Sequence, residues 1–329
     1  MRTAVVLGAG GYVGQAFHVG VLNALSEASG FDPRTADILV GTSAGSLVAA
    51  GLAGGLSVAD MRAELTGEAL SPEGKRLRTR APAGPSGLGA GAGAGVEGWP
   101  DPPVRRRPLA PMALAAAARR PWAVRPAAVV SGVLPAGRMP TESISRTVSG
   151  LHPDGWPERD LRICAVRARD ARRVVFGCAG APATDVATAV AASCAIPAYF
   201  RPVYVDGAAY VDGGVHSPTN ADVVTGDAPD LVLVLSPMSM RRAGRRPPVD
   251  VAMRLAVRSY LAVEVRALRR AGSRVVVLQP GAGDLAVMGA NPMRGSGVEQ
   301  VITTVAASVH ARLAAQPDLV ALLSGATGQ

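Results

Sequence analysis

Apolar positions along this chain fall into two kinds of run, and the two kinds alternate. Short, nearly continuous runs at 3–7, 37–40, 231–235 and 274–279 lack polar alternation and predict strands covered on both faces. Runs at helical spacing lie between them. Residues 15–28 place Phe17, Val21, Leu22 and Leu25 on one face, and 249–270 reads as a long amphipathic helix. Further helices are predicted over 46–54, 57–70, 141–148, 184–192, 297–313 and 317–323. The pair 161–168 and 173–176, joined by Arg169-Asp170-Ala171, predicts a hairpin or tight connection. A second pair, 203–205 and 208–211, flanks a turn at Asp206-Gly207. Strands alternating with helices argue for an α/β fold, a three-layer sandwich with a largely parallel central sheet. No internal repeat is evident.

One stretch breaks the pattern. Residues 71–111 hold Pro-Gly pairs, the Gly-Ala run from Gly87 to Gly95, and Arg105-Arg106-Arg107-Pro108. Such a composition does not bury enough apolar surface to fold by itself, so it reads as a low-complexity insertion, either a linker or a lid. A helix is predicted after it, over 109–120. Residues 1–329 then form a single domain with this insertion at about 71–111.

Composition narrows the setting. Hydrophobic residues make up 48% of the 329, enough for a sizeable core, but aromatics are only 4%, so Ala, Val and Leu must fill it. No apolar run reaches the ~18 residues of a membrane span. The apolar run after Met1 is too short for a signal peptide, and a cytoplasmic protein is expected. Cys164, Cys178 and Cys194 are odd in number and lack metal-ligand spacing, in keeping with a reducing compartment. The net charge of +9 is nearly all arginine, Lys75 being the only lysine. Clusters at 105–107, 119–120, 241–246 and 266–270 suit either a solvated surface or peripheral contact with an anionic membrane. No zinc-finger, RNP or aromatic-interleaved pattern is present, and no nucleic-acid partner is expected.

Three glycine-bearing stretches hold the candidate chemistry. Gly41-Thr42-Ser43-Ala44-Gly45 has the G-x-S-x-G spacing and sits between a predicted strand and a predicted helix, the context of a nucleophile elbow. The same residues also suit a plain helix cap. Gly8-Ala9-Gly10-Gly11-Tyr12-Val13-Gly14 joins the first strand to the first helix and offers backbone N–H groups to an anion. That anion is either a dinucleotide pyrophosphate or a reaction oxyanion. The dinucleotide pattern wants a glycine where Val13 stands and an acid at the end of the next strand, which instead ends in Gly41-Thr42-Ser43. A Tyr-x-x-x-Lys pair is also missing, since Ser71 stands four before Lys75. Asp212-Gly213-Gly214, after the 208–211 run, is either a turn or a placed carboxylate. Asp206-Gly207 lacks the second glycine and is assigned to the hairpin turn. No cofactor and no metal are implied.

In this order the three stretches, with Ala195-Ile196-Pro197 and Tyr210-Val211-Asp212-Gly213-Gly214, resemble the patatin-like phospholipase family. The likeness covers about 1–55 and 160–235. It implies Ser43 as nucleophile, Asp212 as base, and the N–H groups of Gly10 and Gly11 as oxyanion donors, acting on a lipid ester. The family's loop has a basic residue where this chain has Val13 or Gly14. The chemistry is coherent: a serine hydroxyl is a weak nucleophile without a base, a carboxylate at hydrogen-bond distance can take its proton, and the oxyanion needs preplaced donors. A Ser-His-Asp triad is the mechanistic rival. His18, His152, His216 and His310 are the only histidines, and the order Ser43, Asp212, His310 mimics an α/β-hydrolase. His310, however, falls inside a helical pattern, which favours a Ser-Asp dyad. Two other classes stay open: a nucleotide-binding oxidoreductase using Gly8, Gly10 and Gly14, and a non-catalytic lipid-binding relative.

Overall fold

The computed structural model describes residues 1–79, 137–242 and 246–326. One sheet organises them. β1 (Thr3–Leu7) pairs with β2 (Ile38–Thr42), and β3 (Asp160–Arg167) lies outside β2. β4 (Arg172–Phe176), β5 (Val203–Val205) and β6 (Ala208–Asp212) join on the β3 side. β7 (Leu231–Leu235) and β8 (Arg274–Leu278) follow on the far side of β1. The run β3-β2-β1-β7-β8 is parallel throughout, while β4, β5 and β6 enter antiparallel. Every residue of β1, β2 and β7 is buried, as continuous apolar runs demand of a strand covered on both faces.

The helices, in chain order, are α1 (Gly11–Ser29), α2 (Ala44–Ala53), α3 (Val58–Thr66), α4 (Pro72–Thr79), α5 (Glu142–Ser149) and α6 (Val186–Ser193). After β6 come α7 (Pro248–Arg270), α8 (Ala282–Met288), α9 (Val298–Ala314) and α10 (Pro317–Ser324). Strand alternation splits the core into two layers. Val5, Leu7, Leu39 and Leu233 pack with α1, α2, α6 and α9, while Ala4, Val6, Ile38, Val40, Val232 and Val234 pack with Leu261, Val265 and Leu268 of α7. The result is a mixed α/β fold with a mostly parallel central sheet between helical layers. No helix among the described residues is long and apolar enough to cross a membrane.

Register along β3 is what positions the site. β2 pairs with its first half, placing Thr42 opposite Cys164, and β6 pairs with its second half, placing Asp212 opposite Ala165. β4 occupies the other edge over Ile163 to Arg167. β2 and β6 therefore share one edge of β3, end to end, and their final residues meet at neighbouring positions.

Two boundaries differ from expectation. α1 starts at Gly11 rather than near residue 15, because the Gly14 N–H closes on Gly10 O at 2.8 Å and the Val13 N–H on Pro292 O at 3.1 Å. Tertiary contacts here override the poor helix propensity of glycine. The insertion expected from residue 71 begins later, because 72–79 is helical. The Ser71 hydroxyl accepts the Gly74 N–H at 2.9 Å, Pro72 opens the helix, and buried Asp60 takes the Ser71 N–H at 2.7 Å. Arg78 then pairs with Glu64, both side chains nearly buried. The rest of that stretch, 80–111, and the helix expected over 109–120 lie outside the described residues.

Candidate active site

Three segments distant in sequence meet at the carboxyl ends of β1, β2 and β6. Ser43 occupies the turn from β2 into α2 with φ 52° and ψ −123°, a conformation that an L-residue holds at a cost of about 1–3 kcal/mol. The turn is this tight because the flanking glycines admit it. A Cβ on Gly41 would stand 2.4 Å from Ser46 Cα, and one on Gly45 would stand 2.0 Å from Leu7 O. The elbow is then tied down. The Ser43 N–H donates to Ser193 Oγ at 2.9 Å, Ser193 Oγ donates to Cys164 O at 2.6 Å, and the Ser46 hydroxyl donates to Ser43 O at 2.6 Å.

Asp212 ends β6 beside this turn, only 5% exposed. Its carboxylate accepts the Gly214 N–H at 2.7 Å and shares a cavity wall with Ser43. Gly213 allows the approach, since a Cβ there would lie 2.2 Å from Cys164 O. Burial pushes the Asp212 carboxyl up from 3.8 to about 6, with the nearby Ser43 side chain and the Gly214 N–H opposing that rise. A carboxylate so tuned is ionised at neutral pH yet is a stronger base than an exposed one.

The loop after β1 faces the same pair. Ala9 N–H donates to Pro218 O at 2.7 Å and Gly8 N–H to Leu235 O at 3.0 Å. The N–H groups of Gly10 and Gly11 take no acceptor among the described residues, and they stand at the N-terminus of α1, where the helix dipole favours negative charge. Gly10, Gly11, Ser43, Asp212 and Gly214 line one cavity of about 270 Å³, whose remaining wall is apolar, including Ile196, Met238 and Met293. A narrower slot of about 40 Å³ also reaches Ser43, between Tyr12, Leu47, Ile144 and Phe200. Gln15 also lines this slot, and its buried Oε1 accepts no hydrogen bond from the described residues.

No histidine lines either cavity. His18 is fully buried, held neutral with its pKa near 4 by burial, and its Nε2 meets Gly8 O at 2.7 Å. His152 meets Ala50 O at 2.8 Å, and His310, on α9, pairs with Glu27 at the surface. His216 lies just past the Gly213–Val215 turn. Asp206, with φ 48° before Gly207 at φ 70°, is the turn between β5 and β6. Gly14, the third glycine of the dinucleotide reading, lies a turn into α1 against Pro237 and Ala44, and lines neither cavity. Among the described residues no group of His, Cys, Asp and Glu is placed to hold a metal.

The structure thus gathers Ser43, Asp212, Gly10 and Gly11 at one cavity and leaves all four histidines outside it. Sequence reasoning misses the support: Ser193, Ser46, and Cys194, whose buried thiol sits 3.6 Å from Ser46 Oγ. The only sequence signal was that Ser193 and Cys194 adjoin the Ala195-Ile196-Pro197 block.

The profile of one family, described as patatin-like phospholipase, matches residues 5–225. No curated protein matches the chain. Among solved structures it is similar to VipD from Legionella pneumophila, at 14% identity over 93% of this chain and 67% of that one, with a TM-score of 0.37. It is also similar to the type III effector protein ExoU, at 18% identity over 94% of this chain and 53% of that one, with a TM-score of 0.33. The chain spans about half the length of ExoU.

Proposed function

Because this chain belongs to the patatin-like phospholipase family, we propose that it is a serine lipid acyl hydrolase, of phospholipase A, lysophospholipase or esterase type, working through a Ser43-Asp212 dyad. The supporting observation is that Ser43 and Asp212 line one cavity that also exposes the unclaimed N–H groups of Gly10 and Gly11.

In this reading Ser43 Oγ attacks the ester carbonyl carbon while its proton passes to Asp212. The carbonyl oxygen becomes an oxyanion that takes the Gly10 and Gly11 N–H groups, each such donor being worth ~10²–10³ in rate. Collapse expels the alcohol, which leaves with the proton from Asp212, and an acyl-Ser43 ester remains. Asp212 then takes a proton from water, whose oxygen attacks the acyl carbon. Ser43 Oγ departs and recovers that proton, and the carboxylic acid is released. The test is covalent labelling with a fluorophosphonate. Wild type is expected to label and folded Ser43→Ala is not; label retained in Ser43→Ala would sink the assignment.

Substrate delivery is read from charge. α7 exposes Val249, Met253, Leu255 and Val263 beside exposed Arg258, Arg266, Arg269 and Arg270. This face complements an anionic lipid surface. Cosedimentation with anionic vesicles is expected at low salt and to be lost at high salt; equal binding to zwitterionic vesicles would count against it. Residues beyond 225 supply β7 and β8 to the same sheet, which supports reading the whole chain as one domain.

A further inference from the structure

Thr42, Ser217, Thr219, Asn220 and Glu264 are buried polar residues that line neither cavity. They form one network. Glu264 projects from α7 among Leu261, Val265 and Leu268, and accepts from the Ser217 hydroxyl, from the Thr219 hydroxyl at 2.6 Å and from the Ala221 N–H at 3.0 Å. Ser217 Oγ in turn accepts the N–H groups of Thr219 at 3.3 Å and Asn220 at 3.2 Å. An apolar residue at 264 would fill a core position without burying a carboxylate, and such burial is costly even when the carboxylate is hydrogen-bonded. An apolar residue would, however, take the acceptor from the buried Ser217 and Thr219 hydroxyls and the Ala221 N–H, so the carboxylate is what fixes this loop.

This carboxylate holds Asn220 in the left-handed region, at φ 51°. From there Asn220 Nδ2 reaches Thr42 Oγ1 at 3.1 Å, Gly213 O at 3.3 Å and Ser217 O at 2.6 Å. Its Oδ1 accepts from Arg173 at 3.2 Å, and Arg173 is anchored by Asp222. The donor on one side and three oxygens on the other leave a single orientation for the amide. Thr42 immediately precedes Ser43, and Gly213 immediately follows Asp212. β2 and β6 meet end to end on β3 with no direct pairing between them, so this side chain is a clamp across the joint. The same loop gives Pro218 O to the Ala9 N–H, one residue before Gly10.

Building on the hydrolase reading, we propose that Asn220, held by Glu264, is a positioning residue that sets the separation of Ser43 and Asp212 by tying Thr42 to Gly213. It touches no substrate and acts through the two residues it aligns. A misplacement near 1 Å costs about 100-fold in rate, so the effect falls on turnover rather than on binding.

A double-mutant cycle tests this. Asn220→Gly keeps the left-handed backbone and deletes the amide. Thr42→Val deletes the acceptor at nearly constant shape, and Thr42→Ser retains it. The readouts are kcat and KM on a short-chain nitrophenyl ester and the rate of fluorophosphonate labelling. Asn220→Gly and Thr42→Val are each expected to lower kcat and labelling by about 10- to 100-fold with KM nearly constant. Thr42→Ser stays near wild type, and the double variant is no slower than the worse single. Losses that multiply in the double variant, a change confined to KM, or unchanged kcat with only a lower melting temperature would overturn the proposal. If Asn220→Gly does not fold, Thr42→Val against Thr42→Ser decides, equal rates overturning it. Wild type that labels through Ser43 but gives multiplicative losses overturns the clamp alone; wild type that does not label overturns the hydrolase reading and the clamp with it.

Discussion

Replacing Ser43 by glycine is expected to abolish ester hydrolysis, a loss of about 10⁴-fold or more, and to leave a protein more stable than the Ser43→Ala variant by about 1 kcal/mol. Both substitutions remove the hydroxyl proposed as the nucleophile together with whatever it contributes beside Asp212, so that loss cancels in the comparison. What differs is the backbone. At φ 52° and ψ −123° alanine keeps the strain of the elbow, whereas glycine adopts this conformation without steric cost. Glycine returns roughly 0.5–1 kcal/mol of that gain through the entropy of its unfolded chain. Thermal unfolding of the two variants, with steady-state hydrolysis alongside, measures both effects. Equal stability would show that the turn stores no strain, even if activity is lost as expected.

Asp212→Asn is expected to slow hydrolysis by about 10²–10⁴-fold, the range for losing a general base, while stabilising the fold above pH 6. The sign follows from linkage. The folded carboxyl titrates near 6 and the unfolded one near 3.8. Below 3.8 both states are protonated and no penalty exists. As pH rises from 3.8 to 6 the unfolded state ionises first, and folding loses 1.36 kcal/mol per pH unit, about 3 kcal/mol in all. Asparagine does not ionise, so its advantage over wild type should be full above pH 6 and vanish near pH 4. Its Oδ1 still accepts the Gly214 N–H. Urea melts at pH 4 and pH 8 check this, and a stability gap independent of pH would refute the assigned burial cost. The same group predicts that wild-type kcat/KM rises about tenfold per pH unit below 6 and flattens above.

Some of this arrangement is readable before any coordinates. The elbow is local: strand, small residues and helix lie within about twenty positions, and Gly41 and Gly45 announce a close approach that needs no distant partner to be inferred. β7 is equally plain, since Leu231–Leu235 has no polar face to show to water. The joint at β3 is different. That Thr42 and Asp212 end beside one another depends on which halves of β3 pair with which strand, and alternation along 161–168 does not encode it. Ser193 and Asn220 are ordinary polar residues in the sequence. They acquire roles only because α6 and the 217–221 loop are brought against the turn. The helix at 72–79 is hidden by the Pro-Gly composition that follows it, although Ser71-Pro72-Glu73 is a competent helix start.

The central place of β1 governs how the protein can assemble. The strand leading to Gly10 and Gly11 is flanked on one side by β7, which lies beyond residue 225, where the family match ends. Leu235 O holds the Gly8 N–H, the ring of Pro237 lies against Gly10, and Pro292 O takes the Val13 N–H. The floor of the glycine loop is thus supplied by residues 235–292, far along the chain from it. Closing such long loops is paid in entropy before any contact rewards it, so folding that depends on them is slow. During synthesis the turn at Ser43 is made well before residues 235–292, which support the glycine loop beside it. A chain truncated before residue 235 is expected to lack the contacts that fix Gly8, Gly10 and Val13.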